Sequence, residues 1–148
     1  MFNLLSFTGN VVRVCSRGGG SVDDDAESTR RIAEAWMEAV TSGDEEAAIA
    51  LSSPSIVYTN GGHVRRYEGY DGLRDIIEDF ARLSGFLSVS VLSAVAEPGI
   101  VALKRRERYT LPEGGVEIPA CSFVEVADGV VTLWADYKDL QPLDRFSA

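Results

Sequence analysis

Hydrophobic positions follow two rules along this chain. Up to about residue 85 they recur mainly at helical spacing, and from Phe86 onward they follow strand patterns. In the first part, Asp23, Asp24 and Asp25 put acidic charge at the positive end of a helix dipole. Ile32, Trp36 and Val40 then recur four apart with Ala33 and Met37 beside them, and Gly43 stands where a C-cap is expected. Trp36 and Met37 read as core. Asp44 caps a second, short helix through about Leu51, ended by Pro54. Residues 55–60 form a short strand with Ile56, Tyr58 and Asn60 on one face and Val57 and Thr59 on the other; Gly61 and Gly62 break it. Residues 63–70 are polar and loop-like. Asp71 caps a third helix, with Leu73, Ile76, Ile77, Phe80 and Leu83 along one face and Gly85 at its end.

The second part reads as four strands, at 87–95, 100–110, 116–126 and 130–138, with turns at Pro98-Gly99 and Asp128-Gly129. Helices succeeded by an antiparallel meander give an α+β class, with helices packed on one side of a curved sheet. Residues 1–22 differ in character from the rest of the chain. They are apolar and basic, are interrupted by Asn10 and Arg13, and end in Gly18-Gly19-Gly20-Ser21. They lack the long apolar core of a signal peptide and read as an extension joined by a flexible linker, or as an extra strand at 11–14. The domain is then 23–148.

Composition narrows the partners. The net charge of the 148 residues is −9, from 23 acidic and 14 basic side chains, which disfavours nucleic acid and anionic membrane surfaces. No stretch approaches the ~20 apolar residues of a membrane span. Two cysteines, Cys15 and Cys121, form no CxxC, and His63 is the single histidine, so a zinc site is disfavoured and no cofactor is implied. A reduced, cytoplasmic setting fits the cysteine usage. His63 reads as an exposed loop residue and Cys121 as a packed small hydrophobe.

Candidate chemistry lies on two strands. Along 130–138, alternation puts Thr132, Trp134, Asp136 and Lys138 on one face and Val131, Leu133, Ala135 and Tyr137 on the other. Aspartate is depleted in strand interiors. Asp136 is therefore either solvated on an exposed face or a pocket-facing carboxylate with a partner elsewhere. Along 100–110, Val101, Leu103, Arg105, Glu107 and Tyr109 share a face, which changes from apolar to a cation and a carboxylate. An arginine can hold two carboxylates by forked hydrogen bonds, and two carboxyl groups in different settings are what a general acid and a general base require. Leu103, Tyr109 and Trp134 are candidate substrate-lining residues.

The Arg105-x-Glu107 pair, the WADYKD run at 134–139 and the YTN run at 58–60 resemble limonene-1,2-epoxide hydrolases. These belong to the superfamily of nuclear transport factor 2, ketosteroid isomerase and SnoaL-type polyketide cyclases. The resemblance covers about residues 29–140. It implies a cone-shaped α+β fold, three N-terminal helices on a strongly curved, mixed, mostly antiparallel sheet, and a homodimer. It also implies that Tyr58 and Asn60 hold a water, Asp136 deprotonates it, Arg105 bridges the carboxylates and Glu107 protonates the epoxide oxygen. Glu107 stands where the family has aspartate, and Ala135 where its motif has arginine. The activity implied is one-step opening of an epoxide on a small apolar substrate. The alternatives are an epoxide-opening cyclase or an isomerase of natural-product biosynthesis, or a non-catalytic ligand-binding module.

Overall fold

The computed structural model describes residues 25–61, 65–82, 87–112, 114–139 and 141–144. The elements in order are α1 (Ala26–Ser42), α2 (Glu45–Ala50), β1 (Ser52–Asn60), β2 (Arg65–Glu68), α3 (Gly69–Arg82), β3 (Leu87–Glu97), β4 (Ile100–Leu111), β5 (Gly114–Ala127), β6 (Val130–Lys138) and α4 (Gln141–Asp144). The expectations for residues 1–24, His63, Leu83 and Gly85 lie outside the described residues.

The helix ends are set by their caps. The Asp25 carboxylate accepts from Ser28 N at 2.6 Å, and Gly43 closes α1 in the left-handed region at φ 81°. The Asp44 carboxylate accepts from Ala47 N at 3.0 Å and starts α2. One face of α1 buries Thr29, Ala33, Trp36, Ala39 and Val40. Thr29 also anchors the helix to the sheet, because its hydroxyl accepts from the backbone N–H of Gly99 at 3.0 Å in the β3–β4 turn. Trp36 donates from Nε1 to Ser52 Oγ at 2.7 Å, and Ser52 donates on to the Ala48 carbonyl, which fastens α1 and α2 to the start of β1.

The six strands form one open sheet in the order β2-β1-β6-β5-β4-β3. All neighbours are antiparallel except β1 and β6, which run parallel. Helix α1 packs on β3 and β4 and against α3, and α3 packs on β1 and β2. The main core gathers Trp36, Val40, Ile56, Leu73, Ile76, Val101, Leu103, Val124, Val131 and Trp134. A second, smaller cluster of Tyr109, Val116 and Ile118 lies further along the same sheet face.

The structure corrects four expectations. Only α1 and α2 precede the sheet, and α3 comes after β1 and β2. Residues 65–68 are the edge strand β2, not loop; RRYE has no apolar alternation to reveal it, and only Tyr67 is partly buried there. Asp71 lies inside the first turn of α3 and does not cap it. Strand β1 starts at Ser52, and the register with β6 shifts between Ser52 and Val57, which accommodates Pro54 on an exposed stretch.

Strand β6 departs from simple alternation at one place. Glu125 pairs with Leu133 but Val126 pairs with Val131, so Thr132 is an extra residue on β6. Val131 consequently turns into the core that also holds Trp134. From Trp134 onward Asp136 is buried and Tyr137 exposed, as alternation predicts, while the small Ala135 on the Tyr137 face is also buried. On the outer face Ile100, Phe123 and Tyr137 are exposed. Among the described residues no helix is long and apolar enough to cross a membrane.

Candidate active site

The inner face of the sheet turns from apolar to charged along β4. Val101 and Leu103 are fully buried, and the next two residues with the same orientation, Arg105 and Glu107, are 2% and 0% exposed. Burying those charges requires partners. They come from β5 and β6: Ser122 faces Asp136 across the antiparallel pair, and Lys138 lies two residues further on with its side chain 4% exposed. Asp136, at 2% exposure, is no solvated surface carboxylate.

The Arg105 guanidinium spans the two carboxylates. Nη2 donates to Asp136 Oδ1 at 2.7 Å, Nη1 donates to Glu107 Oε1 at 3.3 Å, and Nε donates to Ser122 Oγ at 2.8 Å. Its Cζ lies 5.7 Å from the centre of the Trp134 ring. Asp136 Oδ1 also accepts from Ser122 Oγ at 2.5 Å and from Trp134 Nε1 at 2.6 Å. Among the described residues Asp136 Oδ2 accepts one bond, from the Tyr58 hydroxyl at 3.0 Å. The two oxygens of one carboxylate are therefore unequal: Oδ1 holds three donors and Oδ2 keeps an acceptor position open.

Glu107 is bound differently. Lys138 Nζ donates to both of its oxygens, at 2.9 and 3.0 Å, and the Tyr109 hydroxyl donates to Oε2 at 2.8 Å. Lys138 Nζ also lies 3.7 Å from Asp136 Oδ2. Arg105 and Lys138 thus face Asp136 and Glu107 in one charge-balanced cluster.

Proton affinities result from this packing. Burial pushes the Asp136 carboxyl up, but the charges of Arg105 and Lys138 and the bonds from Ser122 and Trp134 outweigh it and hold the group below the usual carboxylate range. Burial, with the nearby Asp136 charge, pushes the Tyr58 hydroxyl well up, so it stays a donor. The Tyr109 hydroxyl is pushed up for the same reason beside Glu107.

A cavity of about 10 Å³ touches the cluster and is bounded by Tyr58, Arg105 and Asp136 together with Trp36, Met37, Phe80 and Trp134. That is about the smallest volume that holds a water molecule. A groove of about 660 Å³ runs between α1 and β3, and Met37 and Thr41 line both spaces.

Of the residues singled out from sequence, Tyr58, Arg105, Glu107 and Asp136 form one hydrogen-bonded network. Asn60 stands beside Asp136 in the parallel β1–β6 register, and its buried Oδ1 has no hydrogen-bond partner among the described residues. Trp134 is on the cavity wall and stacks on Trp36 with ring centres 4.7 Å apart. Tyr109 is engaged with Glu107, and Leu103 is packed in the main core. Three further site residues escaped the sequence reading. Lys138 shares the Asp136 face by alternation, which was a usable signal. Ser122 is a polar residue in the inward row of Ile118, Ala120 and Val124, also a usable signal. Met37, read as core, has its sulfur 3.9 Å from Arg105 Nη1, a contact no local pattern reveals.

The sheet order, the helix placement and the matched residues 33–134 define the class: the chain belongs to the SnoaL-like domain family. A search of curated proteins found no match. Among solved structures, the chain is similar to an LEH-like epoxide hydrolase of M. tuberculosis, with 25% identity and a TM-score of 0.64 over 81% of this chain and 89% of that one. It shares its fold with SalBIII, an epoxide hydrolase/cyclase-like enzyme with a role in pyran ring formation in the polyether salinomycin, at 14% identity and TM-score 0.67, over 77% of this chain and 92% of that one. It shares it too with an NTF2-like protein from Burkholderia xenovorans LB400, at 18% identity and TM-score 0.65, over 82% and 97%.

Proposed function

We propose that this chain is an epoxide hydrolase of the limonene-1,2-epoxide hydrolase type, which opens an epoxide on a small apolar substrate in one acid–base step. The observation that carries the reading is the Arg105 fork between Asp136 and Glu107, beside a water-sized cavity bounded by Tyr58 and Asp136. Asp136 Oδ2 is the base. It is ionised, it has an open acceptor position, and Tyr58 fixes its orientation. Asn60 completes the hold on the attacking water with its unpartnered Oδ1. The Glu107–Lys138 pair forms the acid side, and Arg105 links the two sides as charge moves. Substrate reaches the cavity from the α1–β3 groove past Met37 and Thr41. The reading includes a cytoplasmic homodimer, paired through the outer sheet face where Phe123 and Tyr137 are exposed.

One observation favours a second reading. Glu107 is held by two cations, as an ionised carboxylate would be, and a site with a single working carboxylate suits an isomerase or cyclase that shuttles a proton next to a carbonyl. Incubation with a panel of small epoxides separates the two. Diol formation supports hydrolysis, a cyclic ether from a hydroxy-epoxide supports cyclisation, and turnover of an enone with no epoxide opening supports the isomerase.

A further inference from the structure

We infer that Lys138, and not a carboxyl group, carries the proton that this site delivers to the departing oxygen, and that Glu107 is the residue that positions it. The inference rests on the epoxide-opening reading and names its acid.

The cations around Glu107 are arranged to donate to it. Its two oxygens accept four donated hydrogen bonds, from Arg105 Nη1, from Lys138 Nζ twice and from the Tyr109 hydroxyl. Those are about as many as the lone-pair positions a carboxylate offers. Arg105 and Lys138 offer no acceptor, so the Tyr109 hydroxyl oxygen is the one neighbour among these that could receive a proton from Glu107. Asp136 Oδ1 is closed in the same way by Ser122, Trp134 and Arg105.

Few other protons of the cluster can move. Arg105 does not release one in a protein. The Tyr58 and Tyr109 hydroxyls are each engaged with a carboxylate, and burial makes both harder to ionise. An ammonium has three N–H donors. Lys138 Nζ lies within hydrogen-bond distance of both Glu107 oxygens, a pair that one shared N–H can serve, and stands 3.7 Å from Asp136 Oδ2, too far for a hydrogen bond. An uncommitted donor therefore adjoins the carboxylate oxygen that has an open position.

The step balances. The oxygen of water bonds to an epoxide carbon while its proton passes to Asp136 Oδ2. The carbon–oxygen bond of the ring breaks, its electron pair stays on oxygen, and that oxygen takes a proton from Lys138 Nζ. Asp136 is left neutral, Lys138 is left as an amine, and the proton returns from Oδ2 to Nζ across the gap between them. The product is a diol, and both residues regain their starting charge.

The test compares Lys138→Arg, Lys138→Met and Asp136→Asn with the wild type on an epoxide the wild type opens, with melting checked for each. Arginine keeps the cation beside Glu107 but does not release its proton. Both Lys138 variants should lose about 10²–10⁴-fold in kcat, as expected for a missing acid, with KM little changed. Glu107→Gln should lose less than Lys138→Arg, because it removes the positioning residue and keeps the donor. Carbon-13 NMR of the Glu107 carboxyl in the wild type should find it ionised at neutral pH, a readout that does not depend on any variant folding. Full turnover by Lys138→Arg, or a protonated Glu107, overturns the assignment. If Asp136→Asn is inactive while Lys138→Arg works, only the acid is wrong; if Asp136→Asn also turns over normally, the epoxide-opening reading itself falls.

Discussion

Ser122 and Asp136 face each other across β5 and β6, and the Ser122 hydroxyl donates to Asp136 Oδ1 at 2.5 Å. The same hydroxyl accepts from Arg105 Nε. A small neutral residue thus ties the guanidinium to the carboxylate and occupies one oxygen, which leaves the other for chemistry. Ser122→Ala removes both bonds and leaves a buried arginine N–H without its partner. The expected cost is about 1–3 kcal/mol in stability by denaturant unfolding. Loss of the Ser122 bond also raises the Asp136 pKa, so the acid limb of kcat/KM moves to higher pH. An unchanged limb and unchanged stability would show that the Ser122 bonds do not govern the site.

The pH dependence of the wild type has a definite sign. The folded Asp136 pKa lies below the usual value, so its contribution to stability is fully present above the ordinary aspartate range near pH ~4. It is lost only as pH falls through the lower, folded value. As the base, Asp136 should also stay ionised at mild acidity, so it should produce no loss of kcat/KM between about pH 8 and about pH 5. A pH–rate profile with a single acid limb near neutrality would place the working base on another group.

Asn60 separates stability from function. Its buried Oδ1 has no protein hydrogen-bond partner among the described residues, and burying a polar acceptor costs stability unless it is paired. Asn60→Leu keeps a similar shape and removes the polar atom. Stability should hold or rise, while kcat for epoxide opening falls about tenfold or more through loss of a water-holding contact. A variant that melts earlier and keeps full activity would contradict that role.

Much of this arrangement was legible in the sequence because strands impose strict alternation. The β4 residues Val101, Leu103, Arg105, Glu107 and Tyr109 share one face, as read from spacing alone, and the structure buries that face throughout. The link from Arg105 to Asp136 was inferable because a mid-strand aspartate needs a partner. Other features were not legible, for physical reasons. Strand β2 has no apolar row and is held by pairing with β1, which is a tertiary fact. The extra residue at Thr132 moves Val131 inward, and only the β5 register reveals it. A lysine at a strand end usually reaches water along its stem. Lys138 shares the Asp136 face by alternation, but its turn to Glu107 two strands away is a tertiary contact that spacing along β6 does not specify.

The most direct measurement is a single turnover of an accepted epoxide in ¹⁸O-water with enzyme in excess. With Asp136 as a base, the diol from the first turnover should carry one heavy oxygen from solvent, and Asp136 should carry none. Unlabelled diol from that turnover, with heavy oxygen later found in the Asp136 carboxylate, would mean that Asp136 attacks the epoxide itself and would contradict the water-activating role.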